Sequence, residues 1–213
     1  MAVKSVRGSA AFVVATTLTL AACANSGSVV RTASGDGAST LPPNASGLAE
    51  RLDAKTAETA GAIQHSAIVT IAGRATAVLS VQNGLSDRRV QVLVDQNGWQ
   101  AIATLRLPEP RFDLDGTRDI EIDDVTGDDI VDFLVPLTAN HNSAVLVSNH
   151  TGRWELVPFV GIDGETVRYV EVDPHLVDHA MTSMDRICVP NCAQGGQAPV
   201  RWTYSDNTMI RVP

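Results

Sequence analysis

The densest group of oxygen-bearing side chains lies in one short stretch, Asp124-Val-Thr-Gly-Asp-Asp-Ile-Val-Asp-Phe133. Counted from Asp124, side-chain oxygens fall at loop positions 1, 3, 5 and 9: Asp124, Thr126, Asp128 and Asp132. Ile130, at position 7, offers a backbone carbonyl. This spacing lets a tight loop turn several oxygens toward a common centre. Calcium accepts such irregular all-oxygen cages, whereas zinc prefers nitrogen and sulfur. The apolar run that follows, Ile130–Val135, would hold the loop rigid on a buried strand. A solvated acidic turn joining two strands is the alternative. No nucleophile or base accompanies the carboxylates, so no catalytic residue is assigned.

The acidic loop resembles the calcium loop of FG-GAP repeats. These are the blades of integrin α-type propellers and of related bacterial exported proteins. Their pattern runs Asp-x-(Asp/Asn/Thr)-Gly-Asp-Gly-x-x-Asp, followed by apolar residues. The resemblance implies that Asp124, Thr126, Asp128 and Asp132 are side-chain ligands and Ile130 a backbone ligand of a structural calcium ion. Asp129 stands where the family has glycine, at a turn that needs positive φ, which Asp tolerates at some strain. Asp113-Leu-Asp-Gly-Thr-Arg-Asp119 echoes the spacing without the following oxygen and apolar run. A propeller needs several hundred residues and repeated signatures, so a different architecture is expected here.

A second candidate is Asp173-Pro-His-Leu-Val-Asp-His179. Asp173 as cap and Pro174 at the first helical position predict a short helix. His175 and His179 then share one face at i, i+4, a metal-ligand arrangement. The order His-x-x-Asp-His is similar to the inverted zinc-peptidase motif His-x-x-Glu-His, with His141, His150 or Glu171 as a third ligand. The plainer expectation is a polar surface face. Neither a Gly-x-Ser-x-Gly nucleophile turn nor a phosphate-cradling glycine loop occurs. Trp99, Trp154 and Trp202 each sit beside a turn. They are expected to anchor hairpins in the core, with a sugar or peptide groove as the alternative.

The address is written at the N-terminus. Lys4 and Arg7 precede an uncharged run, Ala10–Ala22, and then Cys23. The run is shorter than the roughly 20 apolar residues of a membrane span and contains Thr16, Thr17 and Thr19. It reads as a secretory signal. Leu20-Ala21-Ala22-Cys23 resembles the lipobox of bacterial lipoproteins. That implies cleavage before Cys23, diacylation of its thiol, and anchorage on the outer face of the cell membrane. The chain's tail also resembles those of actinobacterial exported lipoproteins.

Removing residues 1–22 leaves 191 of the 213 residues, and losing Lys4 and Arg7 takes the formal charge from −8 to −10. An acidic chain lacks the clustered cations that nucleic acid requires. Cys188 and Cys192 remain in Cys-Val-Pro-Asn-Cys. In an oxidising compartment they read as a disulfide, with redox or metal use as alternatives. Closing so short a loop stabilises by only ~2 kcal/mol.

Residues 23–45 are small and polar and read as a disordered tether. From Gly47 to about Gln64, Leu48, Leu52 and Ile63 suggest a marginal amphipathic helix. Beyond Ser66 the pattern is strand and turn, with about nine strands at hairpin spacing. Asn97-Gly98, Thr151-Gly152, Asp163-Gly164 and Ser205-Asp206-Asn207 mark turns. The expected chain is a signal peptide (1–22), a tether (23–45) and a mostly β, antiparallel, hairpin-rich domain (46–213) with one or two short helices. Its expected role is a membrane-anchored, non-catalytic binding or scaffolding module for an envelope protein or glycan. The alternatives are a cell-envelope hydrolase and a calcium-dependent adhesion module.

Overall fold

Apolar residues at period two commit the chain to strands, because successive side chains on a strand face opposite sides. The structure, a computed structural model, describes residues 29–30, 47–48, 51–52, 55, 61–84, 87–107, 113–114, 118–138, 142–186 and 195–212. Cys23, His141, Cys188 and Cys192 lie outside the described residues. The fold is mostly β and its sheets are largely antiparallel.

The first sheet is a meander of β2 (Ala62–Ile71), β3 (Arg74–Asn83), β4 (Asp87–Asp95) and β5 (Trp99–Arg106). The turn into β5 uses Asn97 and Gly98, both at positive φ, and Gly98 donates its amide to Asp95 Oδ1 at 2.9 Å. A two-residue strand, β1 (Val29–Val30), pairs in parallel with Ala67–Ile68 from within the stretch read as a tether.

The second sheet contains β6 (Asp113–Leu114), β7 (Glu121–Asp123), β8 (Asp132–Thr138), β9 (Ser143–Ser148) and β10 (Glu155–Val157). β6 and β7 both pair with β8, one toward each end. The third comprises β11 (Phe159–Val160), β12 (Thr166–Val167), β13 (His175–Val177), β14 (Ala180–Arg186), β15 (Gln197–Ser205) and β16 (Thr208–Val212). Its order is β12-β11-β16-β15-β14-β13, with only β11 and β16 parallel.

The sheets share cores across their faces. Val78, Val90 and Val92 of the first sheet meet Phe133, Val135, Val145 and Val147 of the second. The alternate residues of the same strands, Leu134, Ala144 and Leu146, meet Phe159, Met181, Trp202 and Met209 of the third. The second sheet is therefore buried on both faces, which is why β8 and β9 are nearly continuous apolar runs. Each fully buried Leu, Val or Phe contributes about 1.5–3 kcal/mol. On the outer face of the first sheet, Leu48 and Leu52 pack with Ile68, Leu79, Val81 and Trp99. Residues 47, 48, 51, 52 and 55 are helical. The Trp99 indole donates to the Leu48 carbonyl at 3.3 Å.

Three segments differ from expectation. The helix expected from Gly47 to about Gln64 does not reach that far, because Ala62–Gln64 already belong to β2. The predicted helix at Asp173 is a hairpin. Val172 and Asp173 have φ of 64° and 54°, which stops a right-handed helix before it starts. Asp178 and His179 also have positive φ and form the tight turn between β13 and β14. His175 and His179 thus do not share a helix face. Arg153–Val160, which follows the Thr151-Gly152 turn and reads as one strand, divides at Pro158: β10 joins the second sheet and β11 the third.

Candidate functional site

The acidic loop links β7 to β8, and its carboxylates organise its own backbone. Asp124 Oδ1 accepts the amides of Gly127 (2.7 Å) and Asp128 (3.3 Å), and its Oδ2 accepts that of Asp129 (2.9 Å). Asp132 Oδ2 accepts the amides of Val125 (2.9 Å) and Thr126 (3.0 Å). Asp128 Oδ1 accepts the Ile130 amide at 2.9 Å. Gly127 and Asp129 take φ of 74° and 63°, the left-handed region that lets the loop curl round the Asp124 carboxylate.

The Thr126 hydroxyl lies 3.3 Å from Asp128 Oδ1 and 3.4 Å from Asp132 Oδ1. These three oxygens form one cluster. Asp124 is turned to the loop amides. Among the described residues, no group of three or more His, Cys, Asp or Glu side chains is placed to hold a metal ion. Ile130 enters the network through its amide.

Asp132 is fully buried at the start of β8. Burial pushes its carboxyl up to about 6 from the ordinary 3.8, against the hydrogen bonds from Ser148, Val125 and Thr126 that favour the charge. Ser148, also fully buried, leads onward. Its Oγ lies 3.2 Å from His150 Nδ1, and His150 Nε2 lies 3.5 Å from Glu155 Oε1. The Thr151 hydroxyl donates to the same Glu155 oxygen at 2.9 Å. Sequence spacing gave no sign of this chain of polar groups, which needs β9 folded back on β8 and the turn at Gly152. Serine, histidine and a carboxylate in series resemble a hydrolytic triad in composition alone. No substrate carbonyl can reach a fully buried Ser148, and its hydroxyl is engaged by Asp132.

The two histidines fasten the β13–β14 hairpin to β7. His175 Nδ1 lies 2.7 Å from Glu121 Oε1, and the Leu176 amide donates to Glu121 Oε2 at 2.7 Å. His179 Nδ1 lies 2.9 Å from Asp123 Oδ1, and its amide donates to Asp123 Oδ2 at 3.0 Å. Arg118 donates to the carbonyls of Pro174 (2.8 Å) and Asn142 (3.2 Å). Each histidine has its own carboxylate, so the pair act as two clamps.

Trp99 and Trp202 are core residues, and Trp154 packs beside Phe133 with ring centres 5.6 Å apart. Trp202 stands edge-on to Phe159, and its indole donates to the buried Ser183 hydroxyl at 2.9 Å.

An open cleft of about 640 Å³ lies where the three sheets meet. Leu105 and Arg106 of β5, Glu155 and Leu156 of β10, Arg168 and Asn207 line it. Beside it, His150 and Tyr204 meet edge to face with centres 4.9 Å apart. Burial first, then the charges of Asp132 and Glu155, push the Tyr204 phenol up to about 12. It therefore stays protonated and donates to Asn207 Oδ1 at 3.1 Å. The buried polar chain thus runs from the acidic loop to His150, whose Nε2 makes no hydrogen bond among the described residues and faces Glu155 at the wall of the cleft. No protein-family model, curated protein or solved structure matches the chain.

Proposed function

We propose that this is an extracytoplasmic lipoprotein, anchored through Cys23, whose β domain is a non-catalytic binding or scaffolding module. The lipobox-like Leu20-Ala21-Ala22-Cys23 behind an uncharged run carries the anchoring. A diacylglyceryl group with an added N-acyl chain supplies the two hydrophobic signals that stable anchoring takes. The binding role draws support from a rigid stack of sheets that opens a cleft on loops and strand ends, where ligand sites are usually displayed.

The acidic loop fits a structural role. Thr126, Asp128 and Asp132 would present oxygens to a calcium ion, which would neutralise the buried Asp132 charge and pin the start of β8. Binding to the folded state alone raises stability by mass action. The melting midpoint is expected to rise in millimolar calcium and fall in chelator. An identical midpoint in both removes the calcium reading and leaves a self-closed acidic turn.

Intact mass spectrometry of native protein tests the anchor. The expected species starts at Cys23 and carries acyl mass, and Cys23→Ala leaves an unprocessed precursor. A soluble chain that keeps its initiator Met1 would overturn the proposal.

A further inference from the structure

We propose that the cleft between the three sheets binds an anionic saccharide, a sugar bearing carboxylate or phosphate groups; this deepens the binding-module reading and rests on it. The chain is acidic, with a formal charge of −8, so an anion approaching most of the surface is repelled. The described lining of the cleft carries two arginines against one carboxylate. Arg106 enters from β5 and Arg168 from the segment after β12, and both side chains are exposed. Among the described residues neither guanidinium makes a hydrogen bond or ion pair, although the Arg106 charge reaches Asp87.

Among the described residues the one carboxylate in the cleft wall, Glu155, accepts the Thr151 hydroxyl at 2.9 Å and is paired with no arginine. Among the described residues nothing competes for the two guanidinium forks, which match planar oxyanions bidentately.

The rest of the lining suits a polyhydroxylated partner. Asn207 has its amide oxygen occupied by the Tyr204 hydroxyl, which leaves its amide nitrogen to donate. Thr104, Thr151 and Thr208 add hydroxyls, and Leu156 with Pro158 supply a modest apolar floor. No aromatic ring lines the cleft among the described residues, which disfavours a drug-like or nucleobase ligand that needs stacking. A volume of about 640 Å³ accommodates a short oligosaccharide and falls in the ordinary range of ligand sites.

Calorimetric titration of the purified full protein, from whichever cell fraction yields it, tests this separately from the anchor. The probes are a galacturonic acid tetramer, glucose 6-phosphate, neutral maltotetraose and inorganic phosphate. Binding of the first marks a sugar acid, and binding of the second a sugar phosphate. Either is expected about tenfold or more tighter than maltotetraose and inorganic phosphate. It is expected to weaken as salt rises.

Arg106→Ala with Arg168→Ala is expected to weaken binding about tenfold or more. Arg106→Lys with Arg168→Lys, which keeps the charge and loses the fork, is expected to fall between the two. Both positions are exposed, so an unchanged circular dichroism melt should accompany the loss. The proposal is overturned if neither anionic sugar binds at about 10 mM. It is also overturned if maltotetraose or inorganic phosphate binds as well, or if the double alanine variant binds as wild type does.

Discussion

Asp132 shows how one residue can order a loop and destabilise the fold at the same time. Its carboxylate gathers the Val125 and Thr126 amides, yet it does so with no exposed surface. The folded-state value is about 6 against 3.8 for the free side chain. The folded protein therefore holds a proton more tightly than the unfolded chain between those values. By linkage, the stability tied to this group is present in full below about pH 4 and is lost as pH rises through about 6. In chelator-containing buffer, Asp132→Asn is expected to flatten the pH dependence of unfolding between pH 7 and 4. The wild-type-minus-variant difference should be on the order of 2–3 kcal/mol over that range. A parallel pH dependence in denaturant titrations of the two proteins would refute this.

Asp129 offers a second residue-scale test. Its φ of 63° is strained for any side chain, whereas glycine adopts it freely. Asp129→Gly is expected to be neutral or to stabilise by up to about 0.5–1 kcal/mol, despite the added freedom of the unfolded chain. A loss of more than about 1 kcal/mol in equilibrium unfolding would mean the Asp129 carboxylate is itself needed.

At the scale of elements, the β13–β14 hairpin depends on β7. β13 is the edge strand of the third sheet and pairs only with β14 among the described residues. The hairpin is held at both ends by His175 on Glu121 and His179 on Asp123. The pairs are partly exposed, so each is worth only a fraction of a buried ion pair. Glu121→Ala also leaves the Leu176 amide without its acceptor. It is expected to speed hydrogen exchange at Leu176 and Val177 while β8 and β9 stay protected. Unchanged exchange at Leu176 would show that the clamp is dispensable. The sequence around this hairpin misled for an identifiable reason. Asp-Pro followed by spaced histidines satisfies every local rule for a helix start, but positive φ at Val172 and Asp173 directs the chain into the sheet. β14 was hidden as well, because a buried Ser183, satisfied by the Trp202 indole, breaks its apolar period.

At the scale of the whole molecule, the second sheet is the shared element. β8 sends Phe133, Val135 and Leu137 into one core and Leu134 into the other. Loss of either core exposes a face of the same sheet, so the sheets should unfold together. Scanning calorimetry is expected to show one cooperative transition. Phe133→Ala should lower stability by about 3–5 kcal/mol without splitting it. Two resolved peaks would mean the sheets melt independently.

The sequence by itself determined most of the longer strands, most of the turns and the acidic loop. Each of these is written in neighbouring residues: alternation for strands, Asn-Gly and Asp-Gly for reversals, oxygens at odd positions for the loop. It also carries the export reading, through a contiguous apolar run and one cysteine. Only the tertiary structure decided which face of each strand met which sheet, that Ser148 would stand between Asp132 and His150, and that Arg106 and Arg168 would share a cleft. Arg106 and Arg168 are sixty-two positions apart, one on β5 of the first sheet and the other just after β12 of the third. Their proximity depends on how whole sheets stack, a sum of many weak apolar contacts that no local pattern encodes.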